Sequence, residues 1–460
     1  MHKVFDFLSP GTGRIYFSGI LGASLSSLAL LCRDRGYKVG GSDTGKNGEL
    51  IKKLEKNGIN VFSCQSSENI EGYDVLVYSA AIPNDSPELS AARKKGLKIF
   101  SRSEFLGYII SEYRCKIGVS GTHGKSTVSG MITDVFLAEN RDVTALIGAE
   151  SVSLGGSLRI GNDDTVIYEA CEYKRSFLDF PPLHAVVLNI ETEHTDCYPT
   201  LSDAVEAYGE FIKNAKKCVL SYDDKGCRML QSNISGKEML LFSIHDKKAD
   251  LYAENICCEN GFYSFDTVYK DKKLFSVNLR VPGIHNVKNA LAATAAALLS
   301  GVSHEAIKSG LEKFSGMRRR FEYIGECRGA SVYDDYAHHP TEIRCTLDGA
   351  KKLGFEKIIC AFQSHTYSRT AAFFKEFTEV FAEADEVIFT DIFAAREKNI
   401  YGVSGKALAD ATENGRYISD FGELTDYLRG KASPGTLIIT MGAGRLNEVA
   451  RSLTLKINNL

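Results

Sequence analysis

The stretch CKIGVSGTHGKSTVSGMITDVF, Cys115 to Phe136, holds the features that decide the fold. It opens with the pattern of a buried strand, continues through glycines, and turns helical from Lys125. A strand that runs through glycines into a helix leaves backbone N–H groups at the helix N-terminus, where they bind anions. The stretch therefore predicts a phosphate-binding loop, with Lys125 at the β- and γ-phosphates of a nucleotide and Ser126 at Mg²⁺.

The loop departs from the strict phosphate-loop spacing at one position. The template requires a glycine five places before Gly124, and Val119 occupies that place. Gly118 and Gly121 supply flexibility nearby. The alternative is a glycine turn with a solvated lysine, but the position of GKS between a strand and a helix favours phosphate binding.

Outward from this loop, short β-branched runs alternate with amphipathic helical runs, which predicts an α/β fold. A chain of 460 residues suggests about three domains. We expect a Rossmann-like N-terminal domain over 1–113, a central α/β domain with the phosphate-binding loop over 114–317, and a third α/β domain over 318–460. Turns at Asn260-Gly261 and Asp271-Lys272 predict antiparallel hairpins in the central domain.

Composition and charge narrow the classes of partner. The net charge of -3 does not favour nucleic acid, because proteins that neutralise many phosphates show a basic excess. The longest apolar run, from Ala290 to Leu299, is too short to cross a bilayer. Without a visible secretory signal, the twelve cysteines are expected to be reduced thiols. We therefore expect a cytoplasmic protein without membrane or nucleic-acid partners. Composition and charge do not determine the oligomeric state, for which we expect a monomer or weak homodimer.

Two further residues follow strands of the predicted central sheet. Glu169 ends the strand TVIYEA, and His194 follows the strand AVVLNI. Ligands of open α/β sheets cluster at the carboxyl ends of strands, so both side chains are expected near the loop at Gly121. A carboxylate and Ser126 suit Mg²⁺. Taken singly, Glu169 is better explained as a helix cap and His194 as a surface histidine, but their joint placement favours a metal site.

The motif DDYAHHP, beginning at Asp334, places two carboxylates, a tyrosine and two histidines directly after a strand. Such a position is typical of binding and catalytic residues. The alternative is helix capping ahead of Pro340, and we expect one of the two acids mainly to cap. The basic run Arg318 to Arg320 is either a site cluster or solvated surface.

Seven motifs in order along nearly the whole chain resemble the Mur ligases of peptidoglycan synthesis. They are GTHGKS (121–126), EACEYKRSFL (169–178), NIETEHTD (189–196), PGIHNVKNALAA (282–293), RRFEYIG (319–325), DDYAHHPTEI (334–343) and MGAG (441–444). The resemblance implies an N-terminal domain that binds a UDP-sugar, a central P-loop-type ATPase α/β domain, and a Rossmann-like C-terminal domain that closes over the nucleotide. It implies ATP and Mg²⁺ as cofactors. DDYAHHPTEI and the VGGSD strand most resemble the branch that adds the first amino acid, so the implied substrates are UDP-N-acetylmuramate and L-alanine.

The resemblance also implies roles for individual residues. ATP binding is implied for Gly121, Thr122, His123, Gly124, Lys125, Ser126, Thr127, His285, Asn286, Asn289, Arg320 and Asp335. Substrate binding is implied for Gly19, Gly22, Asp43, Ser79, Ala80, Ala81, Arg102, Ser176, Tyr336, His338 and Arg369. Metal binding is implied for Ser126, Glu169 and His194, and catalysis for Lys125, Arg320 and His338. Either neutral His338 or a carboxylate takes the proton of the incoming amine.

Several residues depart from the family pattern. Leu21 and Ser24 replace glycines of the N-terminal turn, Glu193 stands for an aspartate, Arg445 replaces an acid, and Thr366 replaces an arginine. These changes keep open a related ligase for another amino acid or a murein peptide, and a non-catalytic homologue. A further alternative is that the protein is a dinucleotide-dependent oxidoreductase, but this interpretation leaves the GKS loop unexplained. If the enzyme needs a carbamylated lysine, the sequence does not distinguish among Lys213, Lys216 and Lys217.

Overall fold

The computed structural model describes residues 8–9, 11–45, 47–192, 197–234, 236–395 and 397–455. Its three sheets flanked by helices confirm the predicted α/β class. The chain divides into two compact units. The first unit comprises Met1–Tyr252, Thr267–Phe275 and Asn289–Leu311, and the second comprises Ala253–Asp266, Ser276–Lys288 and Glu312–Leu460.

The first sheet has five parallel strands in the order β3-β2-β1-β4-β5. They are β1 (Arg14–Ser18), β2 (Lys38–Ser42), β3 (Asn60–Phe62), β4 (Val75–Tyr78) and β5 (Lys98–Ser101). The accompanying helices are α1 (Ala23–Asp34), α2 (Gly48–Lys56), α3 (Pro87–Lys95) and α4 (Arg102–Ser111). Ile15, Tyr16 and Phe17 are fully buried, so β1 is covered on both faces, as is usual in parallel sheets.

The second sheet has ten strands in the order β15-β14-β13-β12-β11-β10-β6-β9-β7-β8. They are β6 (Cys115–Ser120), β7 (Thr144–Ser151), β8 (Gly156–Arg159), β9 (Thr165–Glu169), β10 (His184–Val187), β11 (Lys217–Ser221), β12 (Glu238–Ser243), β13 (Leu251–Glu259), β14 (Phe262–Tyr269) and β15 (Lys272–Asn278). The helices are α5 (Lys125–Ala138), α6 (Leu201–Ile212), α7 (Lys225–Ser232), α8 (His285–Leu299) and α9 (His304–Lys313), with a 3₁₀ helix at Tyr173–Asp179. Strand β6 lies between β10 and β9, so the loop after it opens at the middle of the sheet.

The strands β13 to β15 are joined by two short turns. Asn260 and Gly261 both have positive φ, as the predicted turn requires. The second prediction is wrong by one position: the turn lies at Lys270 and Asp271, both with positive φ, and Lys272 already belongs to β15. The sequence favours a turn at Asp271 but does not fix which neighbour shares it.

The third sheet has six strands in the order β16-β17-β21-β18-β19-β20. They are β16 (Glu322–Cys327), β17 (Ala330–Asp335), β18 (Lys357–Phe362), β19 (Glu386–Phe389), β20 (Gly415–Tyr417) and β21 (Thr436–Met441). The helices are α10 (Pro340–Lys351), α11 (Tyr367–Ala372), α12 (Phe374–Glu379), α13 (Gly405–Ala411), α14 (Phe421–Lys431) and α15 (Asn447–Thr454). Asp335 pairs with Met441 in parallel register, so DDYAHHP and MGAG follow neighbouring strand ends.

Among the described residues, no helix is long and apolar enough to cross a membrane. The twelve cysteines all lie in the described part of the chain, and none of them forms a disulfide bond there.

Candidate active site

The loop between β6 and α5 is held by Asn189, which follows β10. The Asn189 side chain accepts a hydrogen bond from the His123 backbone N–H at 2.8 Å and donates to the His123 carbonyl at 3.1 Å. Gly124 has a φ of +85°, and a Cβ there would lie 2.8 Å from Asn289 Oδ1. A larger residue at Gly124 would therefore be strained and crowded, which explains the glycine. Val119, where the strict template has glycine, is fully buried in β6.

Lys125 opens α5 and turns its ammonium group back to the loop. Its Nζ donates to the carbonyls of Gly121 and Thr122 at 2.5 and 3.1 Å. The same Nζ lies 3.0 Å from Glu172 Oε2, and both side chains are largely buried. Glu172 is a site residue that the sequence analysis missed. Its spacing, three residues after Glu169 in the same segment, was the available signal.

Ser126 and Glu169 contact each other directly. The Ser126 hydroxyl donates to Glu169 Oε2 at 2.6 Å, and the Gly148 backbone N–H donates to the same oxygen at 3.0 Å. The structure therefore brings the predicted serine and acid together at the carboxyl ends of β6 and β9. Thr127 follows in the first turn of α5 and is half-buried. The third predicted ligand, His194, lies outside the described residues.

A cavity of about 250 Å³ adjoins this cluster in the first unit. Its lining includes Arg102, Tyr168, Glu169 and Cys171. Arg102 donates weakly to Ser176 Oγ at 3.5 Å, so two predicted substrate residues meet here. Burial lowers the pKa of the Arg102 guanidinium. A half-buried cation beside a cavity suits an anionic ligand group.

The N-terminal glycine turn is tied to the end of β2. Gly19 has a φ of +88°, and a Cβ there would lie 3.0 Å from Ser79 Cβ. The Asp43 carboxylate accepts hydrogen bonds from the Leu21 and Gly45 backbone N–H groups at 3.0 and 2.9 Å. Three predicted substrate residues are thus brought together. The others follow directly: Gly22 precedes α1, and Ala80 and Ala81 continue the turn from Ser79.

A buried carboxylate forms hydrogen bonds to the ends of β1 and β2. Glu88 is fully buried in α3. It accepts hydrogen bonds from Tyr16, Ser18 and Ser42 at 2.7, 2.5 and 2.8 Å, and from Asn69 at 3.1 Å. Ser18 immediately precedes Gly19 and Ser42 immediately precedes Asp43. Glu88 therefore fixes the ends of β1 and β2, from which the glycine turn and Asp43 follow. Its position after Pro87 in the sequence gives no indication of this role.

In the second unit, Asp334 and Asp335 end β17 with buried side chains. Asp334 pairs with Arg319 at 2.9 Å. Asp335 accepts hydrogen bonds from the backbone N–H groups of Phe321 and Ala337 at 3.0 and 2.8 Å. The expectation that one acid caps the next helix is wrong. His339 is the N-cap of α10, and its side chain accepts from the Thr341 N–H.

Tyr336 lies beneath two guanidinium groups. Arg319 and Arg320 lie 4.9 and 5.3 Å from the centre of its ring. Arg320 also approaches Glu342 at 3.5 Å, and His338 approaches the other Glu342 oxygen at 3.3 Å. Arg318, by contrast, is exposed and pairs with the largely buried carboxylate of Glu322. The structure therefore separates the basic run into a surface residue and two residues of a site cluster.

Histidines complete this cluster in the second unit. The rings of His338 and His365 lie 6.0 Å apart, and Arg369 contacts His365 Nδ1 at 3.2 Å. The pKa of His365 is lowered to about 4, mainly by burial, with His338 and Arg369 acting in the same direction. Burial likewise lowers the pKa of His285 to about 4, with Arg320 acting in the same direction. Asn286 directs its amide to the Pro282 carbonyl at 2.7 Å, next to the start of α8.

Comparison with protein families gives three consecutive matches. The model described as Mur ligase family, catalytic domain, matches residues 14–114. The Mur ligase middle domain matches 119–297, and the model described as Mur ligase, glutamate ligase domain, matches 319–444.

Individual relatives agree with these matches over nearly the whole chain. The UDP-N-acetylmuramate–L-alanine ligase of Clostridium beijerinckii is 42% identical over 96% of this chain and 97% of its own. The enzyme of the same name from Agathobacter rectalis is 40% identical over 99% of this chain and 100% of its own. The crystal structure of the UDP-N-acetylmuramate–alanine ligase of Thermotoga maritima superposes with a TM-score of 0.82 at 27% identity, covering 96% of this chain and 98% of that one.

Proposed function

Because the chain belongs to the Mur ligase family, we propose that it joins L-alanine to the lactyl carboxyl group of UDP-N-acetylmuramate at the expense of ATP. The observation that carries the proposal is the loop at the centre of the second sheet. There Lys125 and Ser126, neighbours in sequence, contact Glu172, just after β9, and Glu169, the last residue of β9, respectively. The names of the relatives supply the substrates.

The residues around the loop fit ATP and Mg²⁺. Ser126 and Glu169 provide the hydroxyl and carboxylate oxygens that Mg²⁺ prefers. The loop N–H groups and Lys125 match the charge of phosphates at a helix N-terminus. Mg²⁺ bound here neutralises negative charge on the nucleotide. His194 completes the proposed ligand set, although it lies outside the described residues.

The proposed chemistry follows from the low reactivity of a carboxylate toward an attacking amine. Its negative charge repels nucleophiles, so a lactyl oxygen first attacks the γ-phosphorus of ATP, and ADP leaves. The alanine amine then attacks the resulting acyl phosphate, the C–O bond breaks, and inorganic phosphate leaves. His338 or a carboxylate accepts the amine proton. Protein groups contribute orientation and charge neutralisation, the main contributions in phosphoryl transfer.

The proposed roles keep the residues that the sequence singled out. Lys125 and Arg320 stabilise charge on the phosphates, and His338 serves the amine. The remaining proposed nucleotide contacts are Gly121, Thr122, His123, Gly124, Ser126, Thr127, His285, Asn286, Asn289 and Asp335. The proposed substrate contacts are Gly19, Gly22, Asp43, Ser79, Ala80, Ala81, Arg102, Ser176, Tyr336, His338 and Arg369. We also propose a cytoplasmic reaction and the domain division 1–113, 114–317 and 318–460, which the three consecutive family matches support.

Replacing Lys125 tests the proposal. The variant Lys125→Ala loses the cation of the loop, so ADP release that depends on UDP-N-acetylmuramate and L-alanine should fall by about 100-fold or more. A coupled assay of ADP release measures this. Lys313→Ala, at an exposed lysine ending α9, is the control and should keep wild-type turnover.

Two outcomes would contradict the proposal. Near-normal turnover of Lys125→Ala would remove the loop from the mechanism. If the wild-type protein released ADP with glycine, serine or a murein peptide but not with alanine, its substrate would be a different one.

A further inference from the structure

A buried ion pair joins the phosphate loop to the segment after β9. Lys125 Nζ lies 3.0 and 3.3 Å from the two oxygens of Glu172. The Lys125 and Glu172 side chains are only 13% and 6% exposed. The loop carbonyls of Gly121 and Thr122 accept hydrogen bonds from the same ammonium group. Lys125 is therefore held from two sides, by its own loop and by Glu172.

The backbone around Glu172 is fixed independently of Lys125. The buried Tyr198 hydroxyl donates to the Glu172 carbonyl at 2.6 Å, and the Arg175 N–H donates to it at 2.8 Å. Lys174 and Arg175 have φ values of 52° and 57°, so the chain turns tightly just after Glu172. Ser176 closes the turn by donating to the Cys171 carbonyl at 3.0 Å. The Glu172 carboxylate is thus presented to Lys125 by a preformed turn.

The position of this acid is unusual for a site that holds phosphates. A carboxylate beside a triphosphate repels it, so Glu172 lowers the affinity of the loop for a nucleotide. It also restricts a long and otherwise flexible lysine side chain. Glu169 similarly contacts Ser126, but the oxygens of Glu169 are available ligands of the kind that Mg²⁺ prefers. Glu172, in contrast, forms an ion pair with the Lys125 ammonium group.

We propose that Glu172 is a positioning residue for the proposed ligase reaction. It fixes the Lys125 ammonium group for phosphoryl transfer and in exchange weakens the binding of ATP. This inference rests on the proposed function only for its effect on turnover. The effect on nucleotide affinity follows from charge alone.

Replacing Glu172 and replacing Lys125 should therefore change the affinity for ATP in opposite directions. Glu172→Gln keeps the shape and one acceptor oxygen but removes a negative charge next to Lys125, so ATP should bind about tenfold more tightly. Turnover should fall by about 10- to 100-fold, because the ammonium group is no longer fixed. Lys125→Ala should weaken ATP binding and also lower turnover. If Glu172 had only a structural role, ATP binding would be weaker than wild type in both Glu172→Gln and Lys125→Ala.

The experiment compares full-length wild type, Glu172→Gln, Glu172→Asp and Lys125→Ala by equilibrium binding of ATP with Mg²⁺ and by ADP release. Glu172→Asp keeps the charge on a shorter side chain, so its ATP affinity should stay near wild type while turnover falls. It also keeps the inference testable if Glu172→Gln does not fold. The matched control is Glu210→Gln. Glu210 pairs with Arg175 of the same turn at 2.6 Å but is 47% exposed, and its loss should change neither quantity.

Unchanged or weaker ATP binding in Glu172→Gln, or unchanged turnover in both Glu172 variants, would overturn the inference. Failure of the proposed function gives a different result. Wild-type protein would then release no ADP with UDP-N-acetylmuramate and alanine, while the comparison of ATP affinities would still report on Glu172.

Discussion

At the scale of single residues, Asp335 shows how the fold changes the chemistry of an acid. Burial raises the pKa of its carboxyl group to about 6, although Arg320 and the Ala337 N–H act in the opposite direction. Glu342 adds to the increase. The folded protein therefore holds the Asp335 proton more tightly than the unfolded chain does.

This raised pKa predicts how stability depends on pH. The contribution of Asp335 is fully present below about pH 4 and is lost as the pH rises through about 6. The loss amounts to about 3 kcal/mol, at about 1.4 kcal/mol per pKa unit. Asp335→Asn does not titrate, so its destabilisation relative to wild type should be larger near pH 4 than near pH 8. Thermal or denaturant unfolding of both proteins at the two pH values measures this, and an equal penalty at both would contradict it.

Residues of the candidate site differ in how far the sequence reveals them. The contact between Ser126 and Glu169 follows from strand ends that meet at one edge of a sheet, and it could be predicted. Glu172 and Glu88 could not. Each is an acid whose importance depends on the groups that surround it after folding, Lys125 in one case and three hydroxyls in the other. Apart from the spacing of Glu172 three residues after Glu169, nothing local distinguishes these acids from surface carboxylates.

At the scale of elements, the packing of α9 against α5 holds the helix that carries Lys125 and Ser126. Gly310 of α9 is buried against the α5 backbone. A Cβ at Gly310 would lie 2.4 Å from the Val135 Cα and 2.6 Å from the Val135 N. These are main-chain atoms within a helix, so they cannot give way as the end of a flexible side chain would.

Gly310→Ala should therefore destabilise the protein despite the better helix propensity of alanine. We expect a loss of about 1–3 kcal/mol in unfolding free energy from overpacking. The control is Gly430→Ala in α14, where the glycine is exposed and nothing lies within 4 Å of the new Cβ. That change should stabilise by up to about 1 kcal/mol. Melting temperatures of the two variants should move in opposite directions, and a neutral Gly310→Ala would show that α9 can shift away from α5.

The order of the strands and helices could be predicted from hydrophobic patterns, and their ends less well. The strand–loop–helix at Cys115 to Ala138 matches its prediction because a buried strand and a glycine loop leave strong local signals. The turn at Lys270-Asp271 lies one residue from its predicted place, since a lysine with positive φ has no such signal. The cap of α10 is His339, because tertiary contacts engage both preceding acids.

At the scale of the whole molecule, the first unit has one hydrophobic cluster that runs through both of its sheets. Phe105 of α4 contacts Phe17 of β1, with ring centres 5.6 Å apart. On the other side, a Cβ at Gly107 of α4 would lie 2.2 Å from the Asp179 carbonyl oxygen. The first sheet therefore shares its core with the segment that follows β9, and the proposed domain boundary near residue 113 crosses a continuous core.

A continuous core predicts that the two sheets of the first unit open together. Amide hydrogen exchange should give the same opening free energy for β1 and β6, because neither strand loses its core contacts without the other. Gly107→Ala separates α4 from the Asp179 carbonyl and should lower both free energies by a similar amount, about 1–3 kcal/mol. Gly48→Ala, with nothing within 4 Å of the new Cβ, is the control and should leave both unchanged. If β1 instead exchanges through a smaller opening than β6 in the wild type, residues 1–113 unfold as an independent domain, and the shared cluster contributes little to their stability.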